Sequence, residues 1–242
     1  MIDYPPKFKQ FLDCCSDKCN GSDLADNLYI GRGNTASPVL FVGKEPSGED
    51  GFSRLSFWRH GSELKKQENN EPLPAQHMWR NYQRLFECVK DGHYNPHPEK
   101  IDFEEYIFTS EMSGMVSTTT NIARKLPGFV EQLQWRKDNF FTDEFFKSFP
   151  VVVLACGDYL RNDGHKGLWE INRIFDVTFD KDNGLHEFLP CSNFYCHHSS
   201  DGSRLVIHTR NLSSGVNGKM LIEMDRVIHE HLEQLGLISF FK

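Results

Sequence analysis

Apolar and polar positions fall in blocks along this chain, and the period within each block separates strands from helices. "VLFVG" (39–43) is an unbroken apolar run closed by glycine, the pattern of a strand buried on both faces that runs into a loop. "YIFTS" (106–110), "VVVLACG" (151–157) and "RLVIH" (204–208) repeat the pattern. The third run is the clearest, being β-branched and glycine-terminated. Between the runs the period lengthens to that of a helix. Met78, Trp79, Tyr82, Leu85, Phe86 and Val89 share one helical face, and Met220, Leu221, Met224, Val227, Ile228, Leu232 and Leu235 form the stripe of a last helix. Shorter helices are predicted over 6–14, around 165–175, and over 142–149 with Thr142 as N-cap. The charged, proline-containing "ELKKQENNEPLPAQ" (63–76) reads as a solvated loop, and the chain shows neither an internal repeat nor a low-complexity segment.

Four apolar strands separated by helices imply a three-layer α/β/α sandwich, in which helices cover both faces of a central, mostly parallel four-stranded sheet. In such sheets ligands bind beyond the carboxyl ends of the strands. That rule gathers four segments at one edge: "GKEPSGED", "TSEMSG", "GDYL" and "HTRNLSSG". The 242 residues suit one domain over 1–242, with 1–37 as an N-terminal extension and 38–235 as the core.

Composition narrows the setting. Twenty Phe, four Trp and 25 % charged residues describe a globular protein. No apolar run is long enough to span a bilayer and "MIDYPPKFKQ" lacks the pattern of a signal peptide, so no membrane partner and a cytoplasmic location are expected. Seven cysteines, an odd number, read as free thiols. A formal charge of −7 means that any nucleic-acid site is a local patch, for which Lys44, Arg54, Arg59, Arg204, Arg210 and Lys219 are the candidates. A monomer is expected.

"VLFVGKEPSGED", followed far downstream by "VIHTRNLSSG", resembles the two signature motifs of the uracil-DNA glycosylase superfamily, single-domain α/β/α sandwiches around a four-stranded parallel sheet. Gly43, Lys44, Glu45 and Pro46 fit the first motif. His208, Leu212 and Ser213 fall at the spacing of the second, with Thr209, Arg210 and Asn211 in place of the usual Pro-Ser-Pro, and the third strand with Gly157 also looks similar. The resemblance spans about residues 38–235. It implies hydrolysis of the N-glycosidic bond of uracil or another deaminated or damaged base, extruded from DNA, with DNA as the partner and no cofactor. Glu45 and His208 would be catalytic. Gly43, Lys44, Pro46, Ser110 and one of Phe57 and Trp58, as a stacking floor, would hold the base. Arg210, Leu212 and Ser213 would contact DNA, with Leu212 as an exposed wedge.

The chemistry asks for such residues. Breaking the bond builds positive charge on the sugar and negative charge on the departing base, so a site needs an anion on one side and a hydrogen-bond donor on the other. Glu45 supplies the first and orients water; His208 supplies the second. Ser110 stands where superfamily members commonly place an Asn, with Glu111 and Ser113 nearby, and a hydroxyl cannot make an amide's two-point contact. Some microbial branches hold an iron–sulfur cluster, but no cysteine lies between Cys88 and Cys156, so none is expected. Cys191, Cys196, His197 and His198 match no common zinc spacing. A Cys156–His208 nucleophile pair is disfavoured because "LACG" reads as buried.

Plainer readings compete. Glu45 could pair with Lys44 in its loop, His208 could be a satisfied core histidine, and Phe57 or Trp58 could be core. "TTT" (118–120) is a helix start or a phosphate-facing loop. At the level of the whole chain, the alternative is a nucleic-acid- or nucleotide-binding domain of the same fold without catalysis.

Overall fold

Residues 4–19, 29–46, 58–59, 77–163, 168–189, 192–213 and 216–241 are described by a computed structural model. In chain order the elements are helix α1 (Pro6–Cys19), strands β1 (Gly31–Gly33), β2 (Val39–Gly43) and β3 (Trp58–Arg59), helix α2 (His77–Asp91), strand β4 (Phe108–Glu111), and the short helices α3 (Thr120–Ala123), α4 (Phe129–Trp135) and α5 (Glu144–Lys147). There follow strands β5 (Val151–Leu154), β6 (Asn162–Asp163) and β7 (Leu168–Trp169), helix α6 (Glu170–Phe175), strands β8 (Thr178–Phe179), β9 (Leu185–Leu189), β10 (Ser192–His198) and β11 (Leu205–Thr209), and helix α7 (Gly218–Gln234).

The four apolar runs become β2, β4, β5 and β11, and these lie side by side as β4-β2-β5-β11, all parallel. Val42 stands opposite Ser110 on one side and Leu154 on the other, and Ile207 opposite Val153, so the four strands end together at one edge. The expected four-stranded sheet is too small, however. Among the described residues this block is the middle of a nine-stranded mixed sheet, ordered β3-β1-β4-β2-β5-β11-β10-β8 with β9 also paired to β10. Strand β1 runs antiparallel to β4, and β10 antiparallel to β11, β8 and β9. The added strands escape an apolar search for a physical reason. "GRG" has no side-chain pattern, and "SNFYCHH" is only partly buried in alternation, carrying polar residues on a half-covered flank.

Two cores sandwich the sheet. On one face Leu40, Val42, Phe108, Val152, Leu154 and Val206 meet α1, α5 and α6. Phenylalanines dominate there: Phe8 lies 4.8 Å from Phe145 and Phe140 4.6 Å from Phe146, ring centre to ring centre, contacts worth about 0.5–1.5 kcal/mol beyond their buried area. Residues before position 38 therefore contribute both a helix and a strand to the same packed body. On the other face Val39, Phe41, Val151, Val153, Leu205 and Ile207 meet α2 and α7. The predicted stripe of α2 is buried at Tyr82, Leu85, Phe86 and Val89, and that of α7 at Met220, Leu221, Met224, Ile228 and Leu232. Leu235 falls at the C-cap of α7 and is exposed.

The cap of α5 is Asp143, whose carboxylate accepts the Phe145 N–H at 2.9 Å. The expected cap, Thr142, turns its hydroxyl to the Asp138 carbonyl at 2.9 Å. The loop predicted over 63–76 lies outside the described residues. Among the described residues no helix is long and apolar enough to cross a membrane, and no group of three His, Cys, Asp or Glu could hold a metal ion. Cys14, Cys15, Cys88, Cys156 and Cys196 are free thiols.

Candidate active site at the carboxyl end of the parallel strands

Beyond β2 the chain keeps pairing with its neighbours. The carbonyls of Gly43, Lys44 and Pro46 accept the N–H groups of Met112, Ser113 and Ser117 at 3.0, 2.8 and 3.1 Å. Three backbone bonds in four residues fix the path of Glu45. Its carboxylate then accepts two hydroxyls, Thr120 at 2.6 Å to Oε1 and Tyr159 at 2.5 Å to Oε2. Thr120 opens α3, whose N-cap is Thr119, so the "TTT" stretch is a helix start that also grips the carboxylate. Each carboxylate oxygen has a second lone pair for another donor.

Tyr159 belongs to a single 3₁₀ turn, Gly157–Tyr159, directly after the third apolar run. The turn requires its glycine, because Gly157 has φ +51°, a conformation that side chains other than Asn and Asp rarely adopt. This turn joins the two motifs. Its carbonyl at Gly157 accepts the His208 Nε2 hydrogen at 3.0 Å, Asp158 accepts Lys44 at 3.0 Å and Arg124 at 2.5 Å, and Tyr159 holds Glu45. Lys44 and Arg124 also lie 5.1 and 5.4 Å from the centre of the Tyr159 ring.

Burial sets the protonation of several of these groups. It pulls the His208 imidazole down to about 4, more than the Gly157 carbonyl restores, so His208 is neutral at pH 7. The Asp158 carboxyl is pushed up by burial, but the Arg124 and Lys44 hydrogen bonds outweigh this and hold it below the usual carboxylate range. Burial, followed by the bond to Glu45, raises the Tyr159 phenol well above its ordinary value, so it stays a donor.

A second carboxyl lies beside Glu45. Gly43 pairs with Glu111 across β2 and β4, and the Glu111 side chain fills the space over that glycine: a Cβ at position 43 would sit 2.2 Å from Oε2. Glu111 is 9 % exposed, and its Oε2 has no hydrogen-bond partner among the described residues. Burial first, and the charge of Glu45 second, push this carboxyl up to about 8. Beneath it Arg136, fully buried 3.7 Å from the Phe140 ring centre, donates to the Glu111 carbonyl at 2.8 Å.

Comparison with protein-family models finds none that matches this chain, and comparison with curated proteins finds no match either. The site therefore stands on its own geometry.

That geometry sorts the residues singled out in the sequence. Gly43, Lys44, Glu45, Pro46, His208 and Arg210 come to one edge, and Arg210 is exposed there with its Cα 3.7 Å from where a Gly157 Cβ would lie. Lys44 pairs with Asp158 and not with Glu45. Ser110 is 1 % exposed and donates its hydroxyl to the Ile30 carbonyl at 2.8 Å, so it is turned into the sheet and away from a ligand. Ser213 is half-buried, its N–H bonded to Asn211 Oδ1 at 2.9 Å.

Leu212 corrects the wedge expectation. It is fully buried in the core under α2 and α7, and Asn81 donates to its carbonyl at 2.6 Å. A side chain with that burial cannot fill a gap in DNA without leaving its own. Arg204 is also removed from the basic patch. It precedes β11 at the opposite end of the sheet and donates to the Phe175 carbonyl at 2.6 Å. Trp58 is described only through its backbone, which pairs with Gly31; Phe57, Arg54 and Cys191 lie outside the described residues, as does the Arg59 side chain. Cys156 is buried with its thiol pushed up by burial to about 12, so no thiolate nucleophile forms near His208 at neutral pH. Cys196, His197 and His198 are ordinary members of β10.

Sequence reasoning missed Tyr159, Thr120, Asp158 and Arg124 as individual residues. "GDYL" and "TTT" stand out only as segments. Nothing in either marks a hydroxyl aimed at a carboxylate 114 residues away in one case and 75 in the other.

Proposed function

We propose that this chain hydrolyses an N-glycosidic bond of DNA, releasing uracil or another deaminated or damaged base. The observation that carries this reading is the Glu45 carboxylate, clamped by Thr120 and Tyr159 at the edge where the parallel strands end, with His208 tied to the same turn. A carboxylate held by two hydroxyls keeps free lone pairs to orient a water and to stabilise positive charge on the sugar. His208 is neutral and holds one N–H at the same edge; to serve the base oxygen it exchanges the Gly157 carbonyl for that oxygen. Lys44, Arg124 and Arg210 supply local positive charge for a phosphate on a chain that is acidic overall. Ser110 is committed inside the sheet, so uracil is one candidate base among several.

The test is incubation of the protein with single- and double-stranded oligonucleotides carrying a panel of modified bases, followed by alkali to cut at abasic sites. The reading expects cleavage at one base or a few. Tight binding without cleavage of any member would favour the second reading, a nucleic-acid-binding domain of this fold, which the buried Leu212 also supports.

A further inference from the structure

A buried carboxyl oxygen without a hydrogen-bond partner among the described residues is costly, and its position calls for a reason. Glu111 is such a group, and its place is not arbitrary. It caps β4 at the ligand-binding edge, is seated over Gly43 two residues from Glu45, and keeps 9 % of its surface open. Gly43 leaves room for it there, since a Cβ at 43 would overlap Oε2 and push the carboxyl aside. Meanwhile the Nε2 hydrogen of His208 is taken by the Gly157 carbonyl. Neutral His208 can offer the departing base a hydrogen bond but no readily released proton, and Glu111 can supply that proton.

We propose that Glu111 is a further catalytic residue of this site, the general acid that protonates the leaving base. The inference rests on the N-glycosidase reading above. Two carboxyls in one site with environments that drive them apart divide the work in a recognisable way: one acts as the anion and one as the acid. Glu111 is pushed up to about 8 and so enters the reaction carrying its proton at pH 7. The groups that bear on it are Glu45 from the β2 loop, Arg136 from the turn after α4, Arg32 from β1 and Glu104 from the turn before β4. The phenols of Tyr29 and Tyr82 and the Cys156 thiol complete its surroundings.

In the step, a water oxygen forms a bond to C1′ as the C1′–N bond breaks, and the bonding pair leaves with the base. Glu111 gives its proton to a ring nitrogen or carbonyl oxygen of that base, and the water's proton passes to Glu45. The products are a neutral base and an abasic sugar, and the two carboxyls have exchanged a proton that solvent restores.

The experiment compares wild type and Glu111→Gln on whichever base the panel shows to be released, by single-turnover kinetics from pH 6 to 9. Gln matches the shape and neutrality of the protonated acid but has no proton to transfer. The wild-type rate should fall above pH 8 as Glu111 ionises, and the variant should be slower by about 100-fold, the scale of general acid catalysis, with that alkaline fall gone. A variant within threefold of wild type, or a slowed variant that keeps the wild-type alkaline fall, would overturn the proposal. Should Glu111→Gln fail to fold, the wild-type profile decides alone: no fall between pH 7 and 9 overturns it. Cleavage of no base at any pH removes the reading beneath it and this proposal together.

Discussion

Replacing Glu111 by Gln tests the electrostatics of the site without any substrate. In the unfolded chain this carboxyl ionises at its ordinary 4.5, and in the fold it keeps its proton to about 8. A group whose value is raised by folding contributes stability that is fully present below the unfolded value and lost as pH rises through the folded one. Each pH unit in that window is worth about 1.4 kcal/mol, so wild type should lose about 3 kcal/mol between pH 5 and 8 that the Gln variant keeps. Burial justifies using nearly the whole of that figure, since little solvent reaches the carboxyl. Urea unfolding at pH 5, 6, 7 and 8, followed by fluorescence of the four tryptophans, measures it. The difference in stability between variant and wild type should grow steadily with pH in the variant's favour. Parallel pH profiles that differ by less than about 0.5 kcal/mol across the range would refute the buried, proton-holding Glu111.

Acid should act in the opposite sense through two histidines. Burial lowers His208 to about 4, and burial with the neighbouring His208 and His198 lowers His197 to about 3. Each adds stability that is present above pH 6.5 and lost as pH falls toward its folded value. Urea unfolding should therefore show about 2–3 kcal/mol lost per histidine between pH 6.5 and 4.5, and His208→Gln should recover one share; an unchanged acid loss in that variant would exclude His208 as a source. Leu212→Ala should lower stability by about 2–5 kcal/mol, the cost of a cavity in a packed core, measured by the same unfolding. A loss below about 0.5 kcal/mol would place Leu212 at the surface after all.

Much of the frame was legible in the sequence because buried parallel strands have to be apolar throughout. The apolar runs locate β2, β4, β5 and β11 within three residues of their ends, and the rule that ligands gather beyond their carboxyl ends puts Glu45 and His208 at one edge. What was not legible depends on partners distant in the chain. The flanking strands β1 and β10, each paired on both sides, are ordered by ladder hydrogen bonds to neighbouring strands, which glycine and histidine can make as well as valine. Leu212 looked like a surface leucine because its neighbours are polar, yet α2 closes over it from residues 77–91. Ser110 and Glu111 are adjacent, and the alternation of a strand alone decides which reaches the ligand edge. That choice hangs on the register with Gly43, a fact of pairing and not of local pattern.

The role of Glu45 is the centre of the account, and its most direct test is the single-turnover rate of Glu45→Gln on the base that wild type releases, with DNA affinity measured alongside. The variant keeps the side-chain shape and one accepting oxygen, loses the charge, and turns an amide N–H toward one of the two hydroxyls. Its rate should fall by at least about 100-fold while DNA binds as well as before or slightly better, because the charge acts in the transition state and little in the ground state. A variant that releases the base at the wild-type rate would contradict the account.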